Sequence, residues 1–384
     1  MESIKNFLLS KYFLAFAFAA HALVLLVLYL KFGINLSNEG EKYLQVAGRL
    51  NFENYREELQ YLWAYSFYIV FLTVCLKSGF SVYVIIVIQY LVSVAGFYLF
   101  YKFILSQNFF SKLYARICWL VIITCPVIIY WQLTFYTETF FIALVIISTY
   151  CAFKPITNYL PLIVLFPALL FCRPVGVFYM IALSAVLLKK QGFKFTRGFL
   201  YASFGLVFFI VLFLVPLHFY DFALPIFQGS VICGFPMFPA SVLPEGNYFL
   251  AQIHVSFIEE HGLADLLIIS LKKIAAFFTI TRPYYSFSHN AINSVYYLFI
   301  IGGLLGIGDT LKRNSHPLFY GYFTSVLAAS LLIVVLIYNE WSERFMVPLL
   351  PFFILMTFIF IFRIRIGTVL PVVEPVNEKP VITI

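Results

Sequence analysis

The chain has 384 residues, 63% of them hydrophobic and 11% charged, with a formal net charge of +8. Soluble domains run nearer half apolar and a quarter charged, so this composition excludes an ordinary soluble domain and points to a polytopic membrane protein. The positive balance follows membrane topology: Lys and Arg gather in the loops of one side, which removes nucleic acid as the expected partner.

Spans of about 20 apolar residues are expected at 11–31, 81–101, 115–133, 137–153, 157–172, 174–188, 198–218, 291–308, 317–338 and 345–362. The first has no small-residue cleavage site after a short core and reads as an anchor. The shorter stretch 61–76 is ambiguous. Counted as a span, it puts Lys102, Lys112 and Arg116 outside; read as juxtamembrane or re-entrant, it puts them inside with Lys154, Lys189, Lys190, Lys194, Arg197, Lys312, Arg313, Arg363 and Arg365. The second choice obeys the positive-inside rule. The expected fold is therefore all-α, with about ten transmembrane helices, cytoplasmic termini, one domain over 1–364 and a loose tail over 365–384.

Two large outer loops are expected, 32–80 and 219–290. The first holds an amphipathic stretch, Glu41 to Leu59, with Leu44, Ala47, Leu50 and Tyr55 near one face, which suits an interfacial helix. The second opens on "LPIFQGSVICGFPMFPASVLPEGNYF", too rich in Pro and Gly for continuous helix, and continues as a helix from Phe249 to Ile280. Of the cysteines at 75, 118, 125, 151, 172 and 233, only Cys233 falls clearly in a water-facing loop, so no disulfide framework is implied. The 47 Phe and 27 Tyr exceed what a lipid-facing surface needs, and some of these rings suit an amphiphile's groove.

Ionisable groups are costly at membrane depth and usually face a cavity or each other. On the expected outer face they form a short set. Glu39 and Glu41 follow span one. Glu138 opens span four in "TFYTETFF". Arg173 lies between spans five and six in "FCRPVG". Arg282 ends the second loop in "TRPYYS". Glu340, Glu343 and Arg344 precede span ten in "YNEWSERFMVPLLP". Each has an ordinary reading: helix-start acid, cap, snorkelling cation, interfacial belt or structural clamp. His218 and His254 read as structural, and His289 as a loop residue. Their convergence on one face favours a site. Acids and arginines beside aromatic grooves suit sugar transfer from a lipid phosphate. A carboxylate takes the acceptor hydroxyl's proton, the transition state resembles an oxocarbenium ion, and arginine forks hold the departing phosphate.

This arrangement resembles the GT-C superfamily of integral-membrane glycosyltransferases, which use polyprenyl-phosphate-linked sugars. "NEGEKYLQVAGRLN" is similar to its first outer loop, with Glu39 four residues before Tyr43. Thr137–Glu138 is similar to its second acid, "RPVG" to its mid-chain span and "ERFMVPLLP" to its late Arg-Phe-x-x-Pro-x-x-Pro span. The family usually has Asp where Glu39 stands, so Glu39 and Glu41 both remain candidates for the base. The resemblance implies Glu39 and Glu138 as catalytic residues. It implies Glu41, Lys42, Tyr43, Arg173, Arg282, Tyr284, Tyr285, His289 and Arg344 as substrate-binding residues. It implies a polyprenyl-phosphate-sugar donor and a glycan, lipid or protein acceptor among membrane lipids. Some members use a divalent metal such as Mg or Mn, but no metal-ligand spacing is visible here. The alternatives are a lipid-linked glycan polymerase or ligase, and a carrier or flippase; the chain lacks the internal symmetry usual in transporters. Compact loops without retention signals point to a bacterial inner membrane with a periplasmic active face.

Overall fold

The computed structural model describes residues 2–36, 38–59, 62–154, 160–192, 216–217, 229–231, 237–238, 248–279, 281–282, 285–313, 316–336 and 344–367. The described chain is helical apart from short extended pairings. Its elements are α1 (Glu2–Leu9), α2 (Phe13–Phe32), α3 (Asn38–Arg49), α4 (Tyr55–Leu59), α5 (Ser66–Lys77), α6 (Val82–Ser106), α7 (Lys112–Ile123), α8 (Pro126–Ile129), α9 (Glu138–Phe153), α10 (Leu160–Cys172), α11 (Gly176–Lys190), α12 (Leu250–His261), α13 (Leu263–Phe278), α14 (Phe287–Arg313), α15 (Pro317–Leu336) and α16 (Leu350–Gly367). Among the described residues four helices are long and apolar enough to cross a membrane: Phe13–Phe32, Val82–Ser106, Phe287–Thr310 and Pro317–Leu336. These long apolar helices fit an integral membrane protein. The expected seventh span, 198–218, lies outside the described residues except for 216–217, as does the tail beyond 367.

The expected span 115–133 is not one straight helix. It is the pair Lys112–Ile123 and Pro126–Leu133, bent by 45°, a fifth span if counted as one. Pro126 has no N–H to continue the ladder, which is the ordinary cause of such a bend. Buried His21 of α2 reaches the Ile123 carbonyl at the break, with Nδ1 at 2.5 Å. The second expected outer helix is also divided: α12 ends and α13 begins around Gly262, whose φ of +94° suits glycine alone. The first outer stretch breaks into α3 and α4 at an Asn51–Asn54 turn, where each side chain caps the other's backbone region at 2.8–2.9 Å. Ala47 and Leu50 are buried there, whereas Tyr55 is exposed.

Close helix contacts use small residues, as bilayer packing requires. A Cβ on Gly96 of α6 would meet the Ala143 backbone of α9 at 3.2 Å. Gly302, Gly303 and Gly306 of α14 let α16 approach closely, and Thr357 of α16 donates to the Phe299 carbonyl at 2.6 Å. Two further features tie the segment after α2 to the segment before α9. Asn35 forms a parallel bridge with Thr134, its N–H reaching the Leu133 carbonyl at 2.9 Å, and Gly40 lies against Phe135. The start of the first outer loop is thereby tied to the segment that leads into Glu138.

The Arg173–Gly176 turn joins α10 to α11. A Cβ on Gly176 would stand 2.0 Å from the Leu169 carbonyl oxygen, a backbone atom that cannot swing aside. Gly176→Ala is therefore expected to destabilise the fold by about 3 kcal/mol or more, measured as a lowered midpoint of thermal unfolding in detergent.

Lys273 of α13 is buried, and burial pushes its amine down to about 8 from the ordinary 10.5. Below pH 8 both folded and unfolded chains carry the proton. Between about 8 and 10.5 the folded chain releases it while the unfolded chain keeps it, so stability rises with pH through that window. Lys273→Met is expected to raise the unfolding midpoint at pH 7 and to flatten this rise, both read from unfolding curves across the pH range.

Candidate functional site

Four side chains from distant parts of the sequence meet at one end of the helices. Glu138 is the first residue of α9 and is fully buried. Its Oε1 accepts from Arg344 Nε and lies 3.1 Å from Arg173 Nη1. Arg344 also reaches Glu39 Oε2 with Nη1 at 2.6 Å. One guanidinium therefore holds carboxylates 305 and 206 residues away along the chain. Arg173 adds a bond to the Arg344 carbonyl at 3.1 Å. Aromatic faces cover the cations: Tyr136 lies under Arg344 at 4.9 Å, and Phe141 and Phe345 flank Arg173 at 5.6 and 5.5 Å.

The electrostatics follow from burial. Desolvation alone would lower Arg344, but facing Glu138 and Glu39 holds it well above its ordinary value, so it stays charged. Tyr43 and Tyr65 pack in a tilted pair beside the cluster, with centroids 5.7 Å apart. Burial pushes both hydroxyls up and keeps them neutral. Behind the cluster, Tyr68 donates to Gln89 at 2.6 Å, and Gln89 donates to the Thr134 carbonyl at 3.2 Å. That chain of bonds fixes the segment entering Glu138.

Beside the cluster lies a cavity of about 300 Å³. Val27, Leu28 and Phe32 of α2, Pro126 and Val127 of the bent pair, and Ile292 of α14 give it apolar walls. Tyr130, Trp131, Tyr136 and Tyr285 add rings, and Lys31, Asn35, Thr134, His289, Asn293 and Arg344 supply polar groups. Among the described residues no carboxylate lines it. Lys31 Nζ donates to Ser288 at 3.1 Å, and the Tyr285 and His289 rings stack at 4.0 Å. The size falls at the lower end for small-ligand sites, and the cations with apolar walls suit an amphiphile with an anionic head.

The candidate residues thus divide into groups. Glu39, Glu138, Arg173 and Arg344 come together, with Tyr43 alongside. Tyr285 and His289 line the adjoining cavity with Arg344. Glu41 and Lys42 are exposed on other faces of α3, Glu41 accepting from Gln45 at 3.2 Å. Arg282 is buried away from the cavity lining; its guanidinium donates to the carbonyls of Ala276, Thr279 and Thr281 near the C-terminal end of α13. Tyr284, Glu340 and Glu343 lie outside the described residues. Lys31, Asn35, Thr134 and Tyr136 are cavity residues that the sequence reading did not select. Lys31 carried one signal: it is the cation in the last turn of the first span.

Among the described residues no three His, Cys, Asp or Glu side chains group as metal ligands, and both cluster carboxylates already face guanidinium groups. The described residues do not make a seat for Mg or Mn. Comparison with known proteins gives no match: no family model, no curated protein and no solved structure matches this chain.

Breaking a buried pair leaves an uncompensated charge and costs about 3–5 kcal/mol, whereas exposed pairs contribute about 0–1 kcal/mol. Glu138→Ala is therefore expected to destabilise far more than Arg49→Ala, which breaks the exposed Arg49–Glu58 pair at 3.5 Å. A thiol-reactive dye that reports exposure of buried Cys118, Cys125 and Cys172 during heating gives the comparison.

Proposed function

We propose that this chain is a membrane glycosyltransferase that moves a sugar from a polyprenyl-phosphate donor to an acceptor hydroxyl on the outer face. The observation that carries the reading is the sharing of Arg344 between a carboxylate pair and a cationic cavity with apolar walls. In this reading the phosphate of the donor lies near Arg344, Lys31 and His289, and its first isoprene units lie along the α2 and α14 walls. Glu39, a third exposed, is the group able to meet an acceptor from water. Its carboxylate takes the acceptor's O–H proton while the oxygen forms a bond to the anomeric carbon. The bond from that carbon to the phosphate oxygen breaks, and the lipid phosphate leaves with the electron pair. Single displacement inverts the anomeric centre. Glu138, held by two arginines, positions Arg344 rather than exchanging a proton.

Glu39 is favoured over Glu41 as the base because only Glu39 reaches the cluster. The acceptor is a glycan, lipid or protein hydroxyl. The wider setting of the proposal is about ten spans with both termini in the cytoplasm, in a bacterial inner membrane with the site on the periplasmic side. The charge distribution along the sequence supports that orientation.

The test is transfer by the full chain in proteoliposomes supplied with polyprenyl-phosphate sugars. Glu39→Gln is expected to lower transfer by about a hundredfold or more while the unfolding midpoint stays near that of the wild type. Wild-type transfer by this variant would remove Glu39 from the role. Loss with Arg344→Lys but none with Glu39→Gln would move the reading to a lipid-linked glycan ligase.

A further inference from the structure

Arg344 serves two places at once. It holds Glu39 and Glu138, and it lines the cavity beside Lys31 and His289. The two carboxylates are not held alike. Glu138 is fully buried and keeps Arg173 at 3.1 Å when Arg344 is drawn elsewhere. Glu39 is a third exposed, at the start of an outer helix, and is paired with Arg344 alone among the described residues. An anion entering the cavity meets a guanidinium already neutralised by two carboxylates. An anion that takes the Nη1 edge of that guanidinium displaces Glu39, the carboxylate that water can receive.

We propose that an anionic headgroup in the cavity and the Glu39 carboxylate compete for Arg344, so that donor binding unpairs the base. This rests on the reading above, in which the cavity takes a lipid phosphate and Glu39 takes a proton. A carboxylate oxygen taken up by a guanidinium hydrogen bond is not free to meet an acceptor hydroxyl. Before the donor arrives, Glu39 Oε2 is taken up by Arg344. The donor's phosphate draws Arg344 towards the oxygen on which negative charge grows as the glycosidic bond breaks. The same displacement frees Glu39 to accept the acceptor's proton. The empty site thus keeps its base covered, and the loaded site presents it.

Coupling of this kind is reciprocal. If phosphate weakens the Glu39–Arg344 pair, removing the Glu39 carboxylate must strengthen phosphate binding. The measurement is the dissociation constant of farnesyl phosphate for the full chain in nanodiscs, with the unfolding midpoint of each variant confirming its fold. Glu39→Gln and Glu39→Ala are each expected to bind about tenfold tighter than the wild type. Glu57→Gln, which removes an exposed acid of the same outer loop, reports the general effect of one less negative charge and is expected to stay within twofold. Arg344→Gln is expected to abolish saturable binding. Equal affinities for the wild type, Glu39→Gln and Glu57→Gln would overturn the competition while leaving the transferase reading in place. No saturable binding by the wild type would overturn both.

Discussion

The Arg344 guanidinium between Glu39 and Glu138 is the interaction on which this end of the molecule depends. Removing charges from water costs several kcal/mol per ion, and attraction offsets this only when the geometry is good and other bonds complete it. Here the completion is visible. Arg173 shares Glu138 and binds the Arg344 carbonyl, and aromatic faces cover both cations. Two carboxylates and two guanidiniums leave the group balanced. The loop before α3, the start of α9, the α10–α11 turn and the segment before α16 must all stand in register for that balance to exist. The Asn35–Thr134 bridge, the Gly40–Phe135 contact and the Gly176–Leu169 contact are the backbone devices that hold them there.

The cavity owes its shape to a different constraint. A straight helix through 112–133 would carry Tyr130 and Trp131 further along its own axis. The 45° bend turns that segment instead, and its residues become walls of the cavity opposite α14. The bend leaves a carbonyl at Ile123 inside apolar surroundings, where an unpaired polar group is costly. His21 meets that need from α2. His21, in the first span, is thus accounted for by a proline about a hundred residues later.

Much of this was legible in the sequence, and the limits are physical. Long apolar runs mark helices that can span: of those expected, Phe13–Phe32, Val82–Ser106, Phe287–Thr310 and Pro317–Leu336 stand as such among the described residues, within a few residues of their expected ends. Charges at span ends marked the face that holds the site. Pairing was not legible. Glu39 and Glu41 are two positions apart on a helix, about 200° around its axis, so only one can face the cluster, and composition says nothing of which. Arg282 and Arg344 both stood among the substrate-binding candidates. They differ because Arg282 has helix-end carbonyls within reach, which accept its protons locally, whereas Arg344 has carboxylates. Gly262 was read through as helix because one glycine costs a helix only about 1 kcal/mol; its positive φ is set by the tertiary arrangement.

The cluster and the cavity explain each other. A balanced group of two acids and two arginines would attract no anion, and a cavity holding only Lys31 and neutral walls would attract one weakly. Joined through Arg344, the cluster supplies a cation that an anion can claim, and the cavity supplies the place from which to claim it. The exposed member, Glu39, makes the exchange feasible at moderate cost, because its carboxylate returns to water while Glu138 stays paired with Arg173. A second fully buried acid in place of Glu39 would lock the guanidinium, and a fully exposed one would not hold it. In the proposed exchange, intermediate exposure of one carboxylate is therefore the feature on which the response of the ion cluster to an anion turns.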